Sequence, residues 1–205
     1  MKKLLPILSY FFINLVYAQT PRFEEKWLAE KCSKPRNGQE ISHVMLHFCS
    51  DAIENPQNPY NPDRIKQIFE QYQVSAHYLV GRDGTIYKFV KEDRMAFHAG
   101  KGKFAQAPTY ENKLNIRSIG IEILAVSSKK DMKMFMSESH YEKIPKELVG
   151  FTDAQYKAIK FLLDDIYKRN PQIVKDRKHI VGHNEFAPER RTDPGELFDW
   201  TKIGF

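Results

Sequence analysis

Residues 41–48 read Ile-Ser-His-Val-Met-Leu-His-Phe, and the unbroken apolar run Val44-Met45-Leu46 ends at His47. Such a run is typical of a central strand that is buried on both faces of a sheet. Residues 179–181 form a second such segment, which Gly182 and His183 follow. A histidine at the end of a buried strand is well placed at the rim of the sheet, facing a cleft. The two segments therefore predict a sheet with a polar site at its rim.

The segments between these strands predict one helix and one hairpin. Asn61-Pro62 has the pattern of a helix cap and first helical residue, and the helical pattern continues to about Tyr72. Residues 78–80 and 85–90 are rich in strand-forming residues, and they flank the turn sequence Gly-Arg-Asp-Gly at 81–84.

The second half of the chain predicts a further strand and a longer helix. Residues 118–124 form another short apolar strand, and Thr152 with Gln155 makes a capping box. Apolar side chains then recur with helical spacing at Ile159, Leu162, Leu163 and Ile166. We predict an α/β fold, a single domain with a central mixed β-sheet flanked by helices.

Length and composition restrict the class of protein. The chain has 205 residues, of which 41% are hydrophobic and 28% charged, as in an ordinary globular domain. This excludes a disordered chain, a collagen-like fibre and a multi-span membrane protein. The formal net charge is +6, but no stripe of basic residues with interleaved aromatics indicates a nucleic-acid partner. A single domain without an obvious exposed apolar helix favours a monomer.

The N-terminus predicts export. Lys2 and Lys3 precede an apolar stretch that ends at Val16-Tyr17-Ala18, the pattern of a secretory signal peptide over residues 1–18. We expect cleavage after Ala18, a polar N-terminal arm over residues 19–40 and one folded domain over 41–205. The mature protein is then periplasmic or secreted, and no later stretch predicts a membrane span.

Two features remain open at the level of sequence. Cys32 and Cys49 form either one disulfide, as an oxidising compartment allows, or two free thiols. Residues 126–150 are rich in Lys, Ser and Met and predict a long insertion whose role the sequence does not indicate.

His47, His183 and Asp193 are candidate metal ligands. Asp193 follows His183 by ten residues and precedes Pro194-Gly195, so that a rigid turn presents its carboxylate. Two imidazoles and a carboxylate leave a fourth position open on a tetrahedral zinc ion, as in catalytic sites. The alternative is that the histidines are structural and that Asp193 caps the turn.

Glu122 is a charged residue within the apolar strand Ile119-Gly120-Ile121-Glu122-Ile123. A carboxylate there is costly unless it faces a cleft or a partner. It is either a solvent-facing strand residue or a general base whose pKa is set by apolar walls.

Five ordered motifs resemble the type-2 N-acetylmuramoyl-L-alanine amidase family, which also includes the peptidoglycan-recognition proteins. They are Val44–His47, Val74–Val80, Ala96–Gly100, Asn115 with Ser118–Glu122, and Val181–His183 with Ala187-Pro188 and Asp193-Pro194-Gly195. The ending over 193–200, Asp-Pro-Gly-x-Leu-Phe-x-Trp, is most similar to the periplasmic and outer-membrane branch.

The resemblance implies a zinc amidase that cleaves peptidoglycan or muropeptides between N-acetylmuramic acid and L-alanine, with a zinc cleft at the sheet rim. It implies His47, His183 and Asp193 as the zinc ligands and Glu122 as the catalytic glutamate. Arg191 stands where many members have lysine, and it would stabilise the oxyanion rather than donate a proton.

The resemblance also assigns the walls of the cleft. His98 and Asn115 match residues that line it. Ala76 replaces a tyrosine used by the animal branch, so that Glu122 carries the proton transfer. Two other readings are a peptidoglycan-binding module that has lost catalysis, which would lack Asp193, and a secreted lysin or toxin with the same chemistry.

Overall fold

The parallel strands that carry His47 and Glu122 lie inside the sheet, and the parallel strand that precedes His183 forms one of its edges. The structure, a computed structural model, describes residues 20–105 and 107–205, so that the signal peptide predicted for residues 1–18 lies outside it. The strands in these residues are β1 (Phe23–Glu25), β2 (Ser33–Pro35), β3 (His43–Cys49), β4 (Tyr78–Val80), β5 (Ile86–Lys88), β6 (Arg94–Ala96), β7 (Ser118–Leu124) and β8 (Ile180–Gly182). The α-helices are α1 (Pro62–Tyr72), α2 (Leu114–Arg117), α3 (Lys129–Met132), α4 (Glu138–Tyr141), α5 (Asp153–Arg169) and α6 (His183–Phe186).

The main sheet has the strand order β1-β5-β4-β7-β3-β8. Strands β4, β7, β3 and β8 are mutually parallel, whereas β5 runs antiparallel to β4. A separate antiparallel pair joins β2 to β6. The predicted α/β domain with a mixed sheet is therefore confirmed, as are the strands at 43–49 and 118–124.

Helices cover both faces of the sheet. Helix α5 begins at the predicted capping box of Thr152 and Gln155, and α1 begins after the predicted cap Asn61. The core beside α5 includes Val44, Leu46, Ile119, Ile121, Ile123, Ile159, Leu162, Leu163 and Ile166. The core beside α1 includes Ile65, Phe69, Ala76, Leu79, Phe89 and Leu124. Glu122 alternates with Ile121 and Ile123 along β7 and so points to the face that carries α1.

The N-terminal arm and the insertion over residues 126–150 contain more regular structure than the sequence predicted. The N-terminal arm adds β1 to the edge of the main sheet beside β5. The sequence did not predict this strand because it is short and mostly polar and gives no periodic signal. Residues 126–150 fold into α3, α4 and a 3-10 turn around a small apolar core that includes Val126, Met132 and Ile144. Within the described residues, no helix has both the length and the apolar character needed to cross a bilayer.

Both cysteines are free thiols. Cys32 is buried before β2, and Cys49 is half-buried at the end of β3. Of the two alternatives left open by the sequence, the structure has the free pair.

Candidate active site

The parallel strands bring the predicted metal ligands together. His47 lies near the carboxyl end of β3, and His183 directly follows β8, which pairs with β3. Carboxyl ends of parallel strands meet at one edge of a sheet. His47 Nδ1 lies 2.7 Å and His183 Nδ1 lies 3.1 Å from Oδ2 of Asp193. All three side chains are buried, and their ligating atoms lie within 4.8 Å of one another.

The turn that carries Asp193 is held from two sides. The amide of Asn184 donates to the Asp193 carbonyl at 2.8 Å. On the other side lies Asp131, whose Oδ2 accepts hydrogen bonds from Ser127 Oγ at 2.6 Å and from the Glu196 amide at 2.8 Å. The insertion over residues 126–150 therefore supports the turn that presents the third ligand.

Ionisation of the cluster suits a metal cation. Burial raises the pKa of Asp193, but its contacts with the imidazoles of His183 and His47 outweigh that effect and hold the pKa below its usual range. Burial lowers the pKa of His47 to about 4, so that its imidazole is neutral at neutral pH. Neutral imidazole nitrogens and an ionised carboxylate are the donor set of catalytic zinc sites. These residues therefore fit a zinc ion.

The imidazole of His183 is oriented by a backbone carbonyl. Its Nε2 lies 2.9 Å from the carbonyl oxygen of Ala99, which accepts hydrogen bonds and donates none. The Ala99 carbonyl therefore holds a ring proton on Nε2, so that Nδ1 of His183 faces the cluster. Arg190 donates to the same carbonyl at 2.6 Å and fixes the loop that carries it; sequence reasoning did not identify Arg190.

Glu122 lies beside the cluster because of strand register. It pairs with His47 across β7 and β3, and its Oε2 is buried with no hydrogen-bond partner among the described residues. Burial and the negative charge of Asp193 raise the pKa of Glu122 well above its usual range. A carboxylate of this kind is a stronger base than an exposed one, as general acid–base catalysis requires.

A cavity of about 220 Å³ joins these groups. Arg191 lines it together with Glu122 and the three metal-ligand candidates. The other walls are mostly apolar and comprise Phe48, Phe69, Val74, Phe97 and Phe135. Phe135 comes from the 126–150 insertion, which therefore forms part of the cavity wall as well as the support of the turn.

The two residues predicted to line the cleft differ in position. His98 borders the cavity and lies against His47. Asn115 lies behind that wall, where its Oδ1 accepts hydrogen bonds from the amides of His98 at 3.0 Å and Ala99 at 2.8 Å. Asn115 thus supports the wall, and its contact with substrate stays a prediction.

A family comparison decides the relationship. The family model described as N-acetylmuramoyl-L-alanine amidase matches residues 37–196, a range that contains every predicted site residue. The chain belongs to this amidase family. The resemblance stated from the ordered motifs is therefore confirmed.

The alignments with individual relatives of this amidase cover different shares of those proteins. The chain is 30% identical to the 1,6-anhydro-N-acetylmuramyl-L-alanine amidase AmpD of Haemophilus influenzae, over 98% of this chain and 97% of that protein. It is 32% identical to the AmpD of Escherichia coli K12, over 64% of this chain and 57% of that protein. It is also 32% identical to the N-acetylmuramoyl-L-alanine amidase AmiD of Escherichia coli K12, over 80% of this chain and 52% of that protein.

Solved structures of similar sequence share the architecture of the amidase domain. A crystal structure of a selenomethionine AmpD derivative superposes with a TM-score of 0.64 at 26% identity, covering 91% of this chain and 94% of that one. The AmiD of E. coli in complex with anhydro-N-acetylmuramic acid-L-Ala-D-γ-Glu-L-Lys gives a TM-score of 0.58 at 27% identity, covering 83% of this chain and 57% of that one.

Proposed function

We propose that this amidase hydrolyses the bond between the lactyl group of N-acetylmuramic acid and the L-alanine of the stem peptide, in a zinc-dependent reaction that serves cell-wall turnover or remodelling. The observation that carries the proposal is the buried cluster of His47, His183 and Asp193 beside Glu122 in one cavity. The names of the similar amidases, and the muropeptide bound to AmiD, support the choice of bond.

His47, His183 and Asp193 would hold the zinc ion. Zinc supplies Lewis-acid polarisation of a carbonyl and generates a water nucleophile near neutral pH. The three side chains provide one net negative charge, since both imidazoles are neutral when they act as ligands. Burial and Asp193 raise the pKa of Glu122, and the positive charge of a bound cation would oppose that rise.

Glu122 performs the proton transfers in this proposal. Its Oε2 carries no other hydrogen bond from the described residues and is free to accept a proton from the attacking water. The same carboxyl then delivers that proton to the nitrogen of L-alanine as the C–N bond breaks. The net reaction adds one water, which leaves a carboxylate on the lactyl group and a protonated amine on the peptide.

Arg191 stabilises the charge that develops on the carbonyl oxygen. It lines the same cavity as Glu122, and its guanidinium is a permanent positive charge rather than a proton source. Preorganised charge of this kind acts on the transition state, where the oxyanion forms, more than on the bound amide.

We also propose that the enzyme acts in the periplasm or after secretion, as a monomer on peptidoglycan or muropeptides. The support is the signal-peptide pattern of residues 1–18, with cleavage near Ala18. Immunoblots of cell fractions, with cytoplasmic and periplasmic marker proteins, test this location. A full-length cytoplasmic form alone would contradict it.

A muropeptide digest tests the reaction itself. We expect purified protein to release the intact stem peptide from muropeptides, with masses that add one water across the muramoyl–L-alanine bond. The substrates include both 1,6-anhydro and reducing-end sugars. Asp193→Ala should abolish release, whereas Asp164→Ala, an exposed position on α5, should not. Binding without cleavage, or cleavage at another bond, would contradict the proposal.

A further inference from the structure

A chain of hydrogen bonds leads from His47 to a backbone carbonyl. Nε2 of His47 lies 3.0 Å from Nδ1 of His98. Nε2 of His98 lies 3.3 Å from Oγ of Ser118. The Ser118 hydroxyl in turn donates to the carbonyl oxygen of Leu114. Each side chain of the chain is therefore bonded on both sides.

The last member sets the direction of every bond. The Leu114 carbonyl accepts hydrogen bonds only, so that the hydroxyl proton of Ser118 is committed to it. Ser118 Oγ must then accept from Nε2–H of His98. A neutral imidazole carries one proton, and Nδ1 of His98 is consequently an acceptor. His47 donates to it through Nε2–H, which leaves its Nδ1, on the side of Asp193, without a ring proton and available to a metal ion.

The His98 ring packs directly against strand β7. A Cβ atom at position 120 would lie 2.5 Å from Cγ of His98, well inside van der Waals contact. The imidazole therefore rests directly on the backbone of Gly120, as a glycine within a strand allows. The backbone amide of His98 is fixed by Asn115. Both ends of the residue are thus held before any ligand binds.

We propose that His98 is a positioning residue that fixes the Nε2–H tautomer of His47, with Ser118 as its anchor, so that His47 presents Nδ1 to the metal. This inference rests on the proposed zinc site. It gives His98 a different role from the substrate contact that the resemblance implies, because both of its ring nitrogens already have partners within the protein.

Two amide substitutions separate the two nitrogens of His98. Asparagine places its side-chain oxygen near the position of Nδ1, whereas glutamine reaches the position of Nε2 and leaves His47 without its acceptor. We expect His98→Gln to weaken zinc binding by roughly 10- to 100-fold, the range found for outer partners of metal ligands. His98→Asn should retain clearly more affinity, and Ser118→Ala should fall between wild type and His98→Gln.

Competition with a chromogenic zinc chelator measures these affinities without reference to activity. His179→Gln, a half-buried histidine bonded to Asp176, controls for the substitution type and should leave zinc affinity unchanged. Equal affinities of the Asn and Gln variants, or a weaker Asn variant, would overturn the inference. A wild type that binds no zinc would overturn the zinc site as well, so that the two failures are distinguishable.

Nitrogen-15 NMR of the zinc-loaded wild type provides a test that does not depend on the variants folding. We expect the ring proton of His98 on Nε2 and that of His47 on Nε2. A ring proton on Nδ1 of His98 would overturn the inference.

Discussion

Replacing Glu122 with glutamine should inactivate the enzyme and stabilise its metal-free form. Glutamine keeps the shape of the side chain but neither accepts a proton nor carries a charge. Loss of a general acid–base typically lowers kcat by about 10²–10⁴-fold, which corresponds to roughly 3–5 kcal/mol of transition-state stabilisation. The metal-free protein should gain stability at pH 7 because glutamine removes a carboxylate whose ionisation is costly in this buried site, where Oε2 of Glu122 has no partner among the described residues. An unsatisfied buried polar group costs about 1–3 kcal/mol, and more when it is charged.

The gain in stability should depend on pH with a defined sign. The folded-state pKa of Glu122 is raised, whereas in the unfolded chain it is near the ordinary value of about 4.3. Below that value both states are protonated, and the ionisation of Glu122 costs no stability. As the pH rises, the unfolded state loses its proton first, and the folded wild type becomes progressively less stable until the pH passes the folded-state pKa. The advantage of glutamine should therefore be present at pH 7 and diminish toward pH 4.

Urea unfolding of chelator-treated protein at pH 7 and pH 4 measures this difference, and muropeptide release by the zinc-loaded protein measures activity. Glu189→Gln, an exposed position, should change stability by less than about 0.5 kcal/mol at either pH. A glutamine variant that is less stable than wild type at pH 7, or whose gain in unfolding free energy is the same at both pH values, would refute the raised folded-state pKa of Glu122. Activity within roughly threefold of wild type, far short of the expected loss, would refute its role as the base.

Substitutions at three further positions test other parts of the site. Arg191→Ala should lower kcat by about 10²–10³-fold with little change in KM, and Arg191→Lys should retain more activity; equal variants, or a change in KM alone, would remove Arg191 from the oxyanion site. Asp131→Ala leaves two donors without an acceptor, so that urea unfolding should show a loss of stability of about 1–3 kcal/mol. Chelator competition should show a lower zinc affinity. An unchanged zinc affinity would show that the insertion does not support the Asp193 turn. Phe135→Ala should raise KM more than it lowers kcat. The control Phe161→Ala, at a similarly exposed position on α5, should leave both constants unchanged. Identical kinetics for the two variants would show that Phe135 does not contact substrate.

The strands that lead to His47 and His183, and the metal-ligand candidates, were predictable from sequence because they depend on local pattern. The apolar runs before His47 and His183 are strongly β-forming, and parallel strands place their carboxyl ends together. The capping box at Thr152 is equally local. These features need no knowledge of distant contacts, and the structure confirms the elements that carry them.

Other features depend on contacts distant in sequence and were not predictable. Strand β1 is a polar segment that gains its structure by pairing with β5. Glu122 becomes a neighbour of His47 only through the register of β7 on β3, which left its strand pattern open to two interpretations. The supporting contacts of Asp131 join the insertion to a turn more than 60 residues away. Gly120 was visible as a glycine within an apolar strand, but only the structure shows the His98 ring against it.

Metal dependence is tested most directly by measuring zinc content and muropeptide hydrolysis together, in wild type and in the His47→Ala, His183→Ala double variant. We predict about one zinc per chain in the wild type, as in single-ion catalytic sites. Chelation should remove both the metal and the activity, zinc should restore both, and the double variant should bind no zinc and stay inactive. Full zinc occupancy in the double variant, or full hydrolysis by the metal-free wild type, would contradict a catalytic zinc held by His47, His183 and Asp193.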